Sequence, residues 1–315
     1  MSSISVVVIT YQGARWVAAQ AASIAAQTRL PDELVIADDG STDGTVAIAR
    51  DALGSIAERV RVLPTDRHLG LSPNVERGIR AATGDVIVLA DQDDVWLADK
   101  LATVELWGDS GAPGGCFSDG WIIDAEGVRT GDRVWARAGL DRRQRGRWAG
   151  DPFGVLLRQP LVTGATMAIR RDTLDLLLPL PESGWHDYAM SLLLAATSTL
   201  TMIDDPLVEY RLHGENTAGL RPRSRRARVL AQDAHRDNLR EQVRLFDLLA
   251  DRLATHGHPE PAQRMTVKAS LLRARAALPA ARHRRVPGVV RLTATGGYHS
   301  YAQGWASAAR DLLWR

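Results

Sequence analysis

A chain of 315 residues with 45% hydrophobic and 24% charged positions can bury one large α/β core plus an appendage, and is too apolar for a disordered or fibrous protein. Its single cysteine, Cys116, excludes an internal disulfide framework and fits a reducing compartment. The net charge of +2 conceals an asymmetry: residues 221–315 hold 19 Lys+Arg against 7 Asp+Glu, and residues 1–220 hold 20 against 30, so the two regions carry opposite signs and the second asks for an anionic partner.

Met1-Ser2-Ser3 runs straight into Ile4–Ile9 without a basic leader, so no secretory signal is expected. Ser5–Thr10 is an apolar, β-branched run of the kind buried on both faces of a sheet. Ala14–Gln27 places Val17, Ala21 and Ile24 on one helical stripe. Leu34–Ala37 reads as a second strand, stopped by Asp38-Asp39-Gly40-Ser41, with a helix from about Thr42 to Ala52. Val60–Leu63 is a third strand. Ser72-Pro73 looks like a helix start, Ser as N-cap and Pro in the first position, with Gly84 at the end. Val86–Ala90 closes the set and again runs into acid. Repeated β-α units imply a mainly parallel sheet with helices on both faces, where ligands bind beyond the carboxyl ends of the strands. Thr10, Asp38-Asp39 and Asp91–Asp94 all fall there.

The middle third is less regular. Gly108–Gly115 reads as a loop, Phe117–Ile123 as a strand and Arg129–Gly150 as a basic, Trp-containing excursion. The uncharged run Tyr188–Ile203 is too short and too rich in Ser and Thr to span a membrane, and is expected as a core helix running into a strand. Beyond Arg221 the pattern is helical: Leu239, Val243, Phe246 and Leu253 share one stripe, and Tyr298, Tyr301, Trp305, Ala308 and Leu312 another. The expected division is residues 1–220, an α/β domain, and 221–315, a basic α-helical region.

Asp91-Gln92-Asp93-Asp94 is the strongest single feature. Three carboxylates within four residues repel one another and need a compensating cation. Oxygen-only ligation suits Mg²⁺ or Mn²⁺, which also bind a diphosphate; a solvated acidic turn is the plainer reading. Asp38–Gly44 ends a strand in carboxylates that can accept from a base N–H or a ribose hydroxyl, while Ser41, Thr42 or Asp43 can satisfy the N–H groups of the following helix. Cys116 reads as a packing residue, with nothing nearby to activate it.

Val6-Val7-Val8-Ile9-Thr10-Tyr11, Asp38–Gly44, Gly70 and Asn74, and Asp91-Gln92-Asp93-Asp94-Val95-Trp96 in that order resemble the motifs of the family 2 glycosyltransferases. Leu97 and Lys100-Leu101, then Thr163–Arg170, Trp185-His186-Asp187 and Tyr210–Asn216, are similar to the rhamnosyltransferase-like branch. The resemblance spans about residues 4–217, with a looser echo from Gly297 to Leu313. It implies a GT-A fold and inverting transfer of a hexose or deoxyhexose, rhamnose among them, from a nucleoside-diphosphate sugar to a cell-surface glycan or lipid-linked precursor. It assigns Thr10, Tyr11, Asp38, Asp39 and Asp91 to the nucleotide, with one of the two Asp38/Asp39 carboxylates meeting the base. Asp91, Asp93 and His213 go to a divalent cation, and Asp187 takes the place of the catalytic base. The chain has His186 where many members have Glu, and His68 where Asn is common.

The chemistry agrees with that assignment. Displacement at an anomeric carbon needs a base for the acceptor hydroxyl and neutralisation of the leaving diphosphate. The clusters Arg223, Arg225, Arg226, Arg228 and Arg282, His283, Arg284, Arg285 lack a nucleic-acid pattern. They point instead to an anionic membrane surface or a lipid-diphosphate acceptor, and otherwise to a solvated helical face. A cytoplasmic protein, able to sit at the inner face of the cell membrane, is expected. Alternatives are a sugar-1-phosphate nucleotidyltransferase, for which a Gly-rich triphosphate loop is missing, and an inactive scaffold of a glycan-assembly complex.

Overall fold

The computed structural model describes residues 1–214 and 232–313, which fall into two compact units. The first holds Met1–Asp141, Leu161–Leu194 and the chain from Thr199; the second holds Arg142–Pro160, Ala195–Ser198 and the C-terminal helices. The Glu215-Asn216 end of the last motif, the Arg223–Arg228 cluster and the 220/221 boundary lie outside the described residues.

The first unit is built on a nine-stranded sheet. Strands β1 (Ile4–Thr10), β2 (Glu33–Asp38), β3 (Val60–Leu63) and β4 (Val86–Asp91) lie in the order β3-β2-β1-β4, all parallel. Every residue of β1 is buried, as a run of seven with no exposed face requires. The other half is mixed. β8 (Met167–Arg170) pairs antiparallel with β4 and with β6 (Gly115–Ile123). β9 (Leu200–Arg211) runs parallel to β6, while β5 (Val95–Trp96) and β7 (Arg129–Arg133) pair antiparallel with β9 and β6.

Helices cover both faces of the parallel half. Val6 and Val8 pack with α1 (Val17–Ala25), α2 (Thr45–Leu53) and α4 (Lys100–Asp109) through Ile24, Leu53, Leu101 and Trp107. Val7 points the other way, toward Gly78 of α3 (Leu71–Ala81). The expected Ser72 cap is displaced: α3 is capped by Gly70 at φ +92, and Ser72 and Pro73 lie in its first turn, where Pro is tolerated. The cause is Asp39, whose carboxylate takes the Leu69 and Gly70 N–H groups and turns the chain early.

The second unit is helical. Gln232–Thr255 and Pro259–Ala276 pack along each other, burying Leu239, Phe246, Leu253, Met265 and Leu272. The stripe read from Tyr298 to Leu312 is two helices, Gly297–Tyr301 and Trp305–Leu313, broken at Gly304; Tyr298 and Ala308 are buried but Trp305 is 70% exposed. The excursion Arg129–Gly150 supplies β7 to the first unit and the helix Arg142–Trp148 to the second.

Candidate active site

The register of the parallel strands brings the polar clusters to one level. Thr10 is the partner of Asp38, and Ile9 of Asp91. β1 is flanked by β2 and β4, so the connections from it diverge and leave a crevice at the carboxyl ends. A cavity of about 230 Å³ opens there.

The two adjacent aspartates do different work. Asp38 is buried and accepts from Thr10 Oγ1 at 2.8 Å and from the Ser41 N–H at 2.8 Å, bracing the turn, and it does not line the cavity. Asp39 does line it, with its carboxylate fixed by Leu69 N–H, Gly70 N–H and His68 Nδ1 at 2.8 Å. Tyr11 meets the His68 ring at 4.2 Å and shares that wall. Gln92 clamps the Tyr11 backbone at both N–H and C=O, at 2.8 and 2.9 Å. Asp43 receives the Ala14 N–H and the Thr45 N–H at the start of α2, whose N-cap is Gly44 without a side-chain cap.

Asp91 and Asp93 line the cavity, and Asp94 lies buried behind them. Burial, then Asp93 and Asp187, raise the Asp91 carboxyl to about 7. Asp94 is held well above the ordinary carboxylate range by burial and by Asp93 and Asp91, although the Arg211 N–H donates to it at 2.9 Å. Its second oxygen is buried with no hydrogen-bond partner. Each of the three carboxylates offers one oxygen within 4.8 Å of the others. An orphaned carboxylate oxygen in an all-oxygen donor set fits a hard divalent cation. His213 is joined to this group through Asp93, Nε2 to Oδ2 at 2.8 Å, and its ring stacks on Trp16.

The internal counter-charge is Lys100. Fully buried, it donates to Ala165 O at 2.8 Å, sits over the Trp96 ring, and is brought down to about 7 by burial in spite of Asp94 and Asp91. A lysine in the first turn of a helix opposes the helix dipole, and that local misfit is the sequence signal for it. Burial pushes the Cys116 thiol up to about 12, as an inert packing residue requires.

Asp187 reaches the same cavity from the first turn of the helix His186–Ala196, beside Thr163 and Gly164. His186 is buried next to it with Nδ1 unbonded, and burial holds its imidazole below the ordinary value. The structure thus brings Thr10, Tyr11, Asp39, Asp91, Asp93 and Asp187 to one cavity, with His213 attached through Asp93 and Asp38 set behind. Gln92, Lys100 and the Thr163-Gly164 wall are the participants to which sequence reasoning gave no role.

Residues 5–111 match the family described as Glycosyl transferase family 2. An uncharacterized glycosyltransferase of Nostoc is 30% identical over 226 residues, 68% of this chain and 66% of its own length. A dTDP-rhamnosyl transferase of Shigella flexneri is 33% identical over 96 residues, 29% of this chain and 33% of its own. The chain therefore spans just under two thirds of the first relative and a third of the second. Among solved structures, TarS 1–349 of S. aureus in complex with UDP-GlcNAc has a TM-score of 0.56 at 15% identity, covering 98% of this chain and 89% of that one. A mannosyltransferase of Pyrobaculum calidifontis in complex with GDP-Man and Mn²⁺ has 0.52 at 18%, covering 99% and 85%. Both share the GT-A fold with this chain.

Proposed function

This chain belongs to glycosyl transferase family 2, and on that premise we propose that it moves a hexose or deoxyhexose from a nucleoside-diphosphate sugar to a hydroxyl of a cell-surface glycan or its lipid-linked precursor, inverting the anomeric carbon. The observation that carries the reading is that a crowded carboxylate group and a separate carboxylate, Asp187, line one cavity at the carboxyl ends of the strands. Rhamnose is favoured among sugars by the motif set after Asp91 and by the relative named as a dTDP-rhamnosyl transferase.

In this reading Tyr11 and the pre-fixed Asp39 receive the nucleoside, while Thr10 and Asp38 hold the turn that presents them. Asp91 and Asp93, with Asp94 behind, would hold Mg²⁺ or Mn²⁺, and His213 would orient Asp93. A bound cation would supply charge neutralisation on the leaving diphosphate. Asp187 takes the acceptor proton as the acceptor oxygen bonds to the anomeric carbon and the bond to the diphosphate breaks. Lys100 keeps the acidic turn folded before a cation arrives. The first unit would be the catalytic portion, and the second, which takes in Arg142–Pro160 as well as the helices from Gln232 to Leu313, the basic helical portion. Among the described residues no helix is long and apolar enough to cross a membrane. The helix Arg282–Ala294 exposes Val286 and Val290, with Arg282 on the same stripe and Arg284 and Arg291 elsewhere on its exposed side, which suits an anionic membrane surface.

The test is nucleoside-diphosphate release across a panel of dTDP-, UDP- and GDP-sugars with Mg²⁺ or Mn²⁺, with product analysis against a lipid-linked glycan acceptor. No release with any donor would sink the reading. Flotation with vesicles of differing anionic content tests the membrane part, and indifference to lipid charge would remove it.

A further inference from the structure

The second unit contains a cavity of its own, about 470 Å³, lined by Arg147, Arg158 and Arg264 with Asp151 and the Ser300-Tyr301 turn. Gly146, Gly150 and Gly154 recur every four residues along it, so much of that wall is bare backbone. At Gly154 the fit is tight: a Cβ there would lie 1.9 Å from Asp151 Oδ2, so any side chain would displace the carboxylate.

Three guanidinium groups face one carboxylate, and that carboxylate is already engaged. Arg264 donates to both oxygens of Asp151, at 3.2 and 2.8 Å, and lies over the Phe153 ring. Arg158 is half-buried and uses only Nε, donating to Ser300 O at 3.2 Å. Burial, then Arg147 and Arg143, hold its guanidinium below the ordinary value against the opposing pull of Asp151. Arg147 is exposed at the mouth, and its side chain has no ion pair or hydrogen bond among the described residues. Three guanidinium charges therefore converge on a concave space that holds one carboxylate, Asp151, which leaves an excess of two positive charges. Planar forks of this kind match phosphate oxygens in pairs. A monoanionic carboxylate would neutralise half of the excess, and a nucleic-acid strand would need a track of phosphate contacts instead of one concavity.

We propose that this cavity binds a phosphate monoester or diphosphate group, carried either by a soluble molecule or by a lipid headgroup. The site lies wholly within the second unit and is independent of the sugar-transfer reading.

The experiment is calorimetric titration of the full chain, in EDTA and without donor, with inorganic pyrophosphate and inorganic phosphate. A parallel arm measures flotation with phosphatidylcholine vesicles containing phosphatidate, a monoester, or phosphatidylglycerol, a diester. The wild-type protein should bind pyrophosphate, or float selectively with phosphatidate. The first result alone identifies a soluble ligand and the second alone a headgroup, and either supports the site. R147Q/R158Q should weaken the response by about a hundredfold, roughly tenfold for each charge-assisted contact. R244Q, which removes an exposed arginine of Gln232–Thr255 away from the cavity lining, should leave it within about twofold. R147Q alone, at an exposed position, repeats the test if the double variant melts early. Absence of both responses, equal binding by wild type and variants, an equal loss in R244Q, or tighter binding of a single-stranded oligonucleotide than of pyrophosphate would each overturn the proposal. Because neither metal nor donor is present, such a failure leaves sugar transfer standing.

Discussion

The first unit crowds Asp91, Asp93 and Asp94 at the end of a buried strand, where burial and mutual repulsion raise Asp91 and Asp94 and leave one Asp94 oxygen without a partner. The second unit buries charge as deeply but settles it internally. Arg275 makes a two-point pair with Asp311 at 2.7 and 3.0 Å, Tyr298 donates to the same carboxylate, and Arg285 spends its donors on the carbonyls of Pro279, Ala280 and Asp311. Both arrangements look alike in composition. The difference is whether the chain's own counter-charge suffices. Lys100 stands against three carboxylates in the first unit, whereas Asp311 and nearby carbonyls satisfy Arg275 and Arg285 in the second, and an uncompensated excess is what points to a candidate site. The arginine-lined cavity beside Asp151 belongs with the acidic turn by that criterion, though it shares a unit with Arg275.

Replacing Asp187 by Asn should have the largest effect. Turnover should fall by about 10²–10⁴-fold, the usual contribution of a general base, while calorimetry shows donor affinity nearly unchanged. Near-normal turnover would remove Asp187 from the chemistry. On the other side of the comparison, Asp311→Ala leaves Arg275 buried and unpaired, and should cost about 3–5 kcal/mol in denaturant unfolding without altering donor affinity under native conditions. If it instead changed donor affinity at full folding, the separation of architectural from functional charge would fail. His213→Ala should weaken Mn²⁺ binding by about 10–100-fold, as loss of a group orienting a ligand does, measured by titration with the donor absent.

The smallest effect is on pH dependence. Without a cation, the unfolded chain ionises Asp91 from its ordinary value near 3.8, whereas the folded protein keeps that proton to about 7. Stability should therefore fall as pH rises from about 4 to about 7 and then level, with Asp94 acting in the same direction. Lys100 does not blur this window: folded Lys100 loses its proton near 7 and the unfolded chain near 10.5, so its contribution rises above pH 7. Melting curves at pH 5 and pH 8, with and without Mn²⁺, check the point. Stabilisation by Mn²⁺ should be larger at pH 8, and Asp91→Asn should shrink the difference. Equal stabilisation at both pH values would mean that the carboxylates are ionised independently of the cation.

Sequence already carried β1 to β4, each within a residue or two: β1, β2 and β4 are contiguous apolar runs because both their faces are buried, while the half-exposed edge strand β3 shows only as Val60, Val62 and Leu63 around Arg61. The same contiguity made Asp38-Asp39 and Asp91–Asp94 legible as strand-end clusters. The antiparallel half of the sheet was not visible, since pairing of β8 with β4 joins residues about 80 positions apart. Nor was the break at Gly304, where Tyr298, Tyr301, Trp305 and Ala308 keep helical spacing across a turn. Periodicity records which residues tolerate burial, and Trp305 satisfies the pattern while staying exposed.

What the sequence determined alone was the parallel core, its acidic strand ends and the family those motifs signal, all coded in short stretches by local burial and turn chemistry. Tertiary structure decided which carboxylate faces the cavity. Asp38 and Asp39 are adjacent and chemically identical, yet the turn takes the first and the cavity the second. It also set Lys100 beneath the acids, tied His213 to Asp93 across 120 residues, and drew Arg147, Arg158 and Arg264 around one concavity. The physical reason is that Coulomb and hydrogen-bond energies depend on distance in space and on burial, and for these groups both are fixed by long-range packing.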